Sequence, residues 1–188
     1  MTATRLPRQV TSPRLTLRLW ELSDLVAMSE AIAASVEHLK PWMSWASLEP
    51  LPNAERHELI ERSQADWEAG GDAVFGVFLD GAVVGGGGLH RRAGAGVLDI
   101  GYWVHVDHVR TGVASELAAS LTTAAFEVDG VEHVDIHHDK ANVASSGVPR
   151  RLGFTLLGES ADEATAPAEV GIDCHWRVSR AEWRGWHP

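Results

Sequence analysis

The sequence predicts an α+β fold with a mixed, mostly antiparallel sheet, and three observations carry that prediction. Residues 73–89 are two apolar runs joined by Asp80-Gly81, a strong hairpin signal. A third apolar run over residues 97–104 follows directly, which makes an antiparallel meander. After it the pattern alternates between helix and strand, ending in two strands, so the sheet must change direction along its width. At 188 residues the chain is long enough for one well-buried core, and a single domain over residues 1–188 is expected.

In order, residues 1–12 read as a loose leader. Leu15, Thr16, Leu17, Arg18 and Leu19 alternate as a strand does. Ser23 suits the N-cap of a helix whose apolar face is Leu25, Met28, Ile32 and Val36. Residues 38–52 break at Pro41, Pro50 and Pro52 and carry Trp42 and Trp45. A second helix is predicted over residues 53–69, ending at Gly70-Gly71. In the second hairpin strand, Gly85, Gly86, Gly87 and Gly88 are consecutive, which implies a bulge, a close backbone approach or room for a substrate. A long helix through Leu117, Leu121 and Phe126 precedes a strand at residues 134–137. A helix over 142–152 ends at Gly153, and strands begin at Thr155 and Ile172 on either side of an acidic, alanine-rich loop at 161–169.

The formal charge of −10 argues against nucleic acid as a partner, which requires a basic face, and suits a basic substrate such as an amine. Cys174 is the single cysteine, so no intrachain disulfide and no multi-cysteine metal site can form. No apolar run approaches the roughly 18–20 residues that cross a bilayer, and the N-terminus lacks a signal core. The expectation is a cytoplasmic protein with no membrane partner.

The most informative stretch is residues 97–126, a strand, a turn with one glycine, and a helix. The start of a helix leaves backbone N–H groups unpaired and carries partial positive charge. Such a junction seats phosphate. The candidate donors are Arg110, Thr111, Gly112, Val113, Ala114 and Ser115.

Three segments resemble the GNAT superfamily of acyl-CoA-dependent N-acyltransferases, in its RimJ/RimL-like branch. Ile100-Gly101-Tyr102-Trp103-Val104 is similar to that branch's fourth strand. Residues 108–115 are similar to the pyrophosphate loop, usually written Gln/Arg-x-x-Gly-x-Gly/Ala. Asn142, Ser145, Val148, Gly153 and Phe154 match the signature Asn-x-x-Ser-x-x-Val-x-x-x-x-Gly-Phe at every offset. The resemblance runs from about Arg14 to Trp183. It departs from the pattern at Val109 and Arg110, and at Pro149, where many relatives place a tyrosine that protonates the leaving thiolate.

The resemblance implies a GNAT-like sheet splayed between strands 4 and 5, with acetyl-CoA as co-substrate in the gap. Backbone at Val104, His105 and Val106 would hold the pantetheine and thioester. Asn142 would lie near the pantetheine, and Ser145 would donate to the thiol sulfur. Transfer would be direct, to a protein N-terminal amine or a small-molecule amine, with the enzyme a monomer or homodimer. Trp42, Trp45 and Tyr102 would line the acceptor side. Val109, Arg110 and the missing tyrosine also leave open a coenzyme A-binding module without catalysis.

The base that deprotonates the amine is left open by the sequence. His105, His108, His133, His137 and His138 gather near the predicted site, and imidazole suits proton transfer at neutral pH. Alternation puts His137 and His138 on opposite faces of their strand. His138 is taken as the candidate, with His137, Asp139 and an ordered water as alternatives. No metal is expected, because adjacent histidines cannot share one strand face and no cysteine is near.

Overall fold

The computed structural model describes residues 5–185. Eight strands form one sheet: β1 (Gln9–Thr11), β2 (Leu15–Leu19), β3 (Ala73–Leu79), β4 (Ala82–His90), β5 (Val97–Val104), β6 (His133–Asp139), β7 (Thr155–Ala161) and β8 (Ile172–Ser179). Their spatial order is β1-β2-β3-β4-β5-β6-β8-β7. Each neighbouring pair is antiparallel except β5 and β6, which run parallel because α3 (Val113–Phe126) crosses between them. The predicted mixed, mostly antiparallel α+β sheet is the observed one.

The predicted loose leader is corrected at its end, where Gln9, Val10 and Thr11 pair with Arg18, Leu17 and Thr16 as edge strand β1. Three residues carry too little alternation to announce a strand; pairing with β2 makes it one. Residues 1–4 of that leader lie outside the described residues. Ser23 is likewise not a cap. A short 3₁₀ turn (Leu22–Asp24) leads into α1 (Leu25–Leu39), and Asp24 stands at the N-cap. Asp24 is held there by a two-pronged ion pair with Arg18 at 2.6 and 2.7 Å and by the Glu21 N–H at 2.9 Å.

The hairpin turn has the geometry its residues demand, with φ of 50° at Asp80 and 82° at Gly81. α2 (Asn53–Glu68) and α4 (Val143–Arg151) fall where the sequence places helices. Asn142 caps α4 by accepting from the Ser145 N–H at 3.1 Å, and Gly153 ends it at φ 80°.

The main core lies between the sheet and α3, with Leu98, Ile100, Leu117, Leu121, Val134 and Ile136 all buried. A smaller cluster of Trp20, Ile60 and Phe78 sits under α1 and α2 on the opposite face. The four glycines serve both faces. A Cβ on Gly87 would stand 3.1 Å from Leu117, so α3 packs directly on the backbone of β4. A Cβ on Gly86 would stand 2.5 Å from the Trp103 indole nitrogen. The glycine run is therefore a smooth floor in a central strand, and the bulge lies beside it, where Val84 falls between the pairs Val77–Gly85 and Phe78–Val83.

Candidate active site

The site grows from one irregularity of the sheet. β5 and β6 pair from Val97 with His133 to Ile100 with Ile136, and the pairing stops there. Residues 101–104 and 137–139 diverge, leaving a V open toward the end of β5. Counting β1, this is the gap between the fifth and sixth strands. His105 turns its N–H to Val84 on β4 at 2.9 Å. Successive strand residues face alternate edges, so the N–H of Val104 is directed into the V. Val106 spends its N–H on the Ser35 hydroxyl at 3.1 Å. Of the three backbone groups expected to hold the pantetheine arm, Val104 is therefore the one presented to the V.

One side of the V carries the α3 start. Gly112 is its N-cap at φ 85°, a left-handed conformation that glycine adopts without strain. Arg110 is also left-handed, at φ 62°, and exposed. The first in-helix bond near this end runs from Glu116 N–H to the Gly112 carbonyl, so the N–H groups of Val113, Ala114 and Ser115 are left for another partner. Thr111 donates its hydroxyl to the His108 carbonyl at 2.6 Å and fixes the turn. Ser115 is buried and accepts from Arg151 at 2.7 Å, joining the loop to the end of α4.

Sequence reasoning missed what holds this loop. Glu116 is fully buried in the first turn of α3. It accepts from Ser12 Oγ at 2.7 Å, Arg14 N–H at 2.9 Å and Arg14 Nε at 2.7 Å. Burial raises its pKa, but the bonds from Ser12 and Arg14 outweigh that and hold the carboxyl below its usual range. Arg14 also donates to the Thr111 carbonyl at 3.3 Å and lies 3.4 Å from where a Gly112 Cβ would be. A cation thus stands beside the α3 N-terminus. No local sequence signal links Arg14 to Glu116, about a hundred residues away.

At the mouth of the V, Tyr102 points its hydroxyl toward Ser145 on α4. Burial pushes the phenol up to about 12, with Ser145 offsetting part of the rise. The hydroxyl oxygen is buried and makes no hydrogen bond of ordinary geometry among the described residues. A buried polar atom without a partner is costly, so this oxygen is available to a ligand group. That orphan, together with the α3 N–H groups that have no partner inside the helix, fits coenzyme A.

The other face of the V opens on a cavity of about 770 Å³ under α1 and α2, mostly apolar, with Trp20, Met28, Leu59, Trp45 and Trp103 in its wall. Trp45 sits on a 3₁₀ turn (Ser44–Leu48) and meets Trp103 edge to face at 6.3 Å. Trp42 does not line this cavity; it is half-buried at the end of α1, where the backbone is still winding on Leu39. A second feature invisible in the sequence lies in the wall: Arg56 donates to both Glu49 oxygens at 2.8 and 2.7 Å, with both side chains buried.

The histidines separate by face. His138 turns into the core at 9% exposure, donates from Nδ1 to the Asp139 carbonyl at 2.8 Å, and accepts at Nε2 from the Trp176 indole N–H at 2.9 Å. Both nitrogens are used, so the ring has no lone pair for an amine proton, and the expectation of a base there is corrected. Asp139 is also committed: its carboxylate accepts N–H bonds from Ala141, Val170, Gly171 and Ile172. Burial raises its pKa, and these four donors more than reverse that. His137 faces the cavity side instead, with Asp173 on its Nδ1 at 2.8 Å and His175 stacked on it at 4.3 Å.

Asp135, His137 and His175 are close enough to one another to hold a metal ion. Asp135, however, already pairs with Arg177 at 2.7 Å and His175 at 2.8 Å. Burial raises its pKa, and these cations and donors bring it below the usual range. Cys174 is buried on β8, and burial raises its thiol pKa. No helix among the described residues is long and apolar enough to cross a membrane.

Comparison with known proteins agrees with this geometry. Residues 14–155 match the family model of the acetyltransferase (GNAT) domain. YdaF of Bacillus subtilis (strain 168), which carries the name of a ribosomal N-acetyltransferase, is 25% identical over 177 residues, 91% of this chain and 94% of that protein. A structure of RimL, a ribosomal L7/L12 alpha-N-protein acetyltransferase in complex with coenzyme A, superimposes with a TM-score of 0.80 at 18% identity, covering 94% of this chain and 98% of that one. Mycobacterium smegmatis RimJ, in complex with a CoA-disulfide, gives 0.78 at 21% identity over 95% and 86%. MccE, a microcin C7 self-immunity acetyltransferase in complex with acetyl-CoA and AMP, gives 0.81 at 15% identity over 89% and 93%.

Proposed function

Because the chain belongs to the GNAT acetyltransferase family and is an acyl-CoA-dependent N-acetyltransferase, we propose that its acceptor is a primary amine entering through the apolar cavity beneath Trp45. The observation that carries this reading is the V between β5 and β6. It has the phosphate seat and Ser145 on one side and that cavity on the other, so donor and acceptor approach from opposite faces of the sheet.

Acetyl-CoA supplies an activated acyl carbonyl joined to a good leaving group. Binding falls to the N–H groups of Val113, Ala114 and Ser115, with the charge of Arg14 and Arg110 close by. Val104 offers its N–H where negative charge builds on the carbonyl oxygen; a preorganised donor of this kind lowers the barrier by several kcal/mol, about 3. Ser145, at the start of α4 and beside Tyr102, gives a proton or hydrogen bond to the departing sulfur. Asn142 fixes Ser145 by capping its helix. The acceptor's carbon framework replaces water against Trp45 and Trp103.

RimL bears a name tied to the α-nitrogen of a ribosomal protein, and MccE one tied to self-immunity against a microcin. The apolar wall favours an amine with a bulky apolar or aromatic group near the nitrogen, on a peptide or free, and the acidic chain favours its ammonium form. The reaction takes place in the cytoplasm, where acetyl-CoA is made available. A panel of such amines, scored by thiol release from acetyl-CoA, tests the proposal: aromatic amines should be acetylated faster than small polar ones. Equal rates would remove the cavity from acceptor selection.

A further inference from the structure

We infer that the acceptor is the N-terminus of a peptide, read by its backbone: the Trp103 indole N–H donates to the first carbonyl, and His90 Nε2 accepts from the N–H two residues on. This deepens the acetyltransferase reading above and rests on it. Three observations carry it.

The first is where the two rings lie. Trp103 and His90 both line the acceptor cavity, together with Gly86, Gly88 and Gly101. A Cβ on Gly86 would stand 2.5 Å from Trp103 Nε1, and one on Gly88 would stand 2.6 Å from His90 Nε2. A Cβ on Gly101 would stand 3.5 Å from the same imidazole nitrogen. These glycines clear the cavity floor, and the two ring nitrogens rest on it.

The second is that both nitrogens are unspent. His90 Nδ1 donates to Asp72 Oδ2 at 2.7 Å, and the other Asp72 oxygen takes the Arg91 N–H at 2.8 Å. The carboxylate fixes the tautomer, so Nε2 carries a lone pair. Neither Nε2 nor the Trp103 N–H has a hydrogen-bond partner among the described residues, and neither atom is enclosed as the Tyr102 hydroxyl is. The His90 side chain is 19% exposed.

The third is their order. Val104, whose N–H is directed into the V, pairs with Gly85; Trp103 pairs with Gly86, and Gly101 with Gly88. Going from the V along β4, the donor therefore comes first and the acceptor two residues farther, about 7 Å at the rise of a strand. An extended peptide entering amine first presents the matching order. It turns the carbonyl of residue 1 and the N–H of residue 3 to one side, within a two-residue repeat of the same length. Trp103 meets the carbonyl and His90 meets the N–H. An arylalkylamine fills the apolar wall but leaves both ring nitrogens without a partner.

The test uses the full chain with acetyl-CoA and two probes, alanyl-phenylalanine amide and alanyl-phenylalanine methyl ester. They share the amine, the first carbonyl and the aromatic side chain. The ester replaces the N–H that meets His90 by an oxygen, which sets lone pair against lone pair. Wild type should prefer the amide by at least about tenfold in kcat/KM. His90→Phe keeps a ring over Gly88 without a lone pair and should bring that ratio within about twofold of one. Gly88→Ala should do the same with His90 intact, because its methyl displaces Nε2. Trp103→Phe should lower kcat/KM for both probes about tenfold and keep their ratio, since both carry the first carbonyl. A wild-type ratio within about twofold of one would overturn the inference, as would a ratio that survives His90→Phe. So would tryptamine acetylated with the peptide amide left untouched. Wild-type protein inert toward all three amines would count against the acetyltransferase reading itself. Calorimetry of the amide and the ester with coenzyme A-loaded protein then decides this inference alone. A lower Kd for the amide, lost in His90→Phe, supports it; equal affinities, or no binding of either, overturn it.

Discussion

Replacing Glu116 by glutamine tests the strap that holds the phosphate loop. The carboxylate is fully buried and receives three hydrogen bonds, two of them from Arg14, whose guanidinium also lies 2.6 Å from Oε2. Glutamine keeps one oxygen and can still accept from Ser12 or the Arg14 backbone, but Arg14 loses its counter-charge. Breaking a fully buried pair costs about 3–5 kcal/mol. Arg14 is 44% exposed and regains water, so a loss nearer one charge-assisted bond, about 2 kcal/mol, is expected. For a chain of this length that is a fall in Tm of about 4–8 °C. The pH dependence supplies a second check. The folded pKa of Glu116 is depressed, so its contribution is complete above the ordinary carboxyl value of 4.5 and disappears as pH falls through the lower folded value. The deficit of the variant, measured by thermal denaturation, should therefore be full at pH 7 and shrink as the pH is lowered toward 3. A Tm within about 1 °C of wild type at pH 7 would refute the strap. So would a deficit that does not change with pH, because the charge would then carry none of it.

Three further predictions concern the site. Gly112→Val should raise the Kd for coenzyme A at least about tenfold, since a left-handed residue with a branched side chain is strained by about 1–2 kcal/mol and its methyls press on the Arg14 guanidinium, which shifts the turn that presents the α3 N–H groups; unchanged affinity by calorimetry would put the phosphates elsewhere. Ser145→Ala should lower kcat by at least about tenfold while acetyl-CoA affinity stays within about twofold, and equal turnover would remove Ser145 from the chemistry. Tyr102→Phe removes a buried hydroxyl without a partner, so the free protein should be as stable as wild type or more so, by up to about 1 kcal/mol, while the thermal shift produced by acetyl-CoA should shrink. A less stable free protein with an undiminished shift would mean that the hydroxyl serves the fold and not the ligand.

The elements were legible where local chemistry decides them. Asp80-Gly81 can hardly be anything but a tight turn, and Asn142 and Gly153 bracket α4 with the residues that helix ends require. The strand, the Gly112 turn and the amphipathic helix that follows were legible too, and the Asn142–Ser145 spacing pointed to coenzyme A. What could not be read depends on partners distant in sequence. Strand β1 exists because β2 pairs with it, and Asp24 displaces Ser23 as cap because Arg18 from the strand before it reaches across. The different surroundings of His137 and His138 rest on β8, whose Trp176 ties down one ring while Asp173 holds the other. Trp45 lines the cavity and Trp42 does not because of a short 3₁₀ turn in a segment whose prolines announce only that it is irregular. The ion pair of Glu49 with Arg56 and that of Arg14 with Glu116 carry no periodic signature at all.

The central claim is that the V between β5 and β6 brings acetyl-CoA and an amine together for direct transfer. The most direct measurement is mass spectrometry of aromatic amines and short peptides incubated with the protein and acetyl-CoA, with thiol release followed in parallel. The account predicts an acetylated amine formed in step with free thiol, at a rate that collapses in the Ser145→Ala protein. Tight coenzyme A binding with no acetylated product across the panel would contradict it, and would make the V a binding site without a reaction.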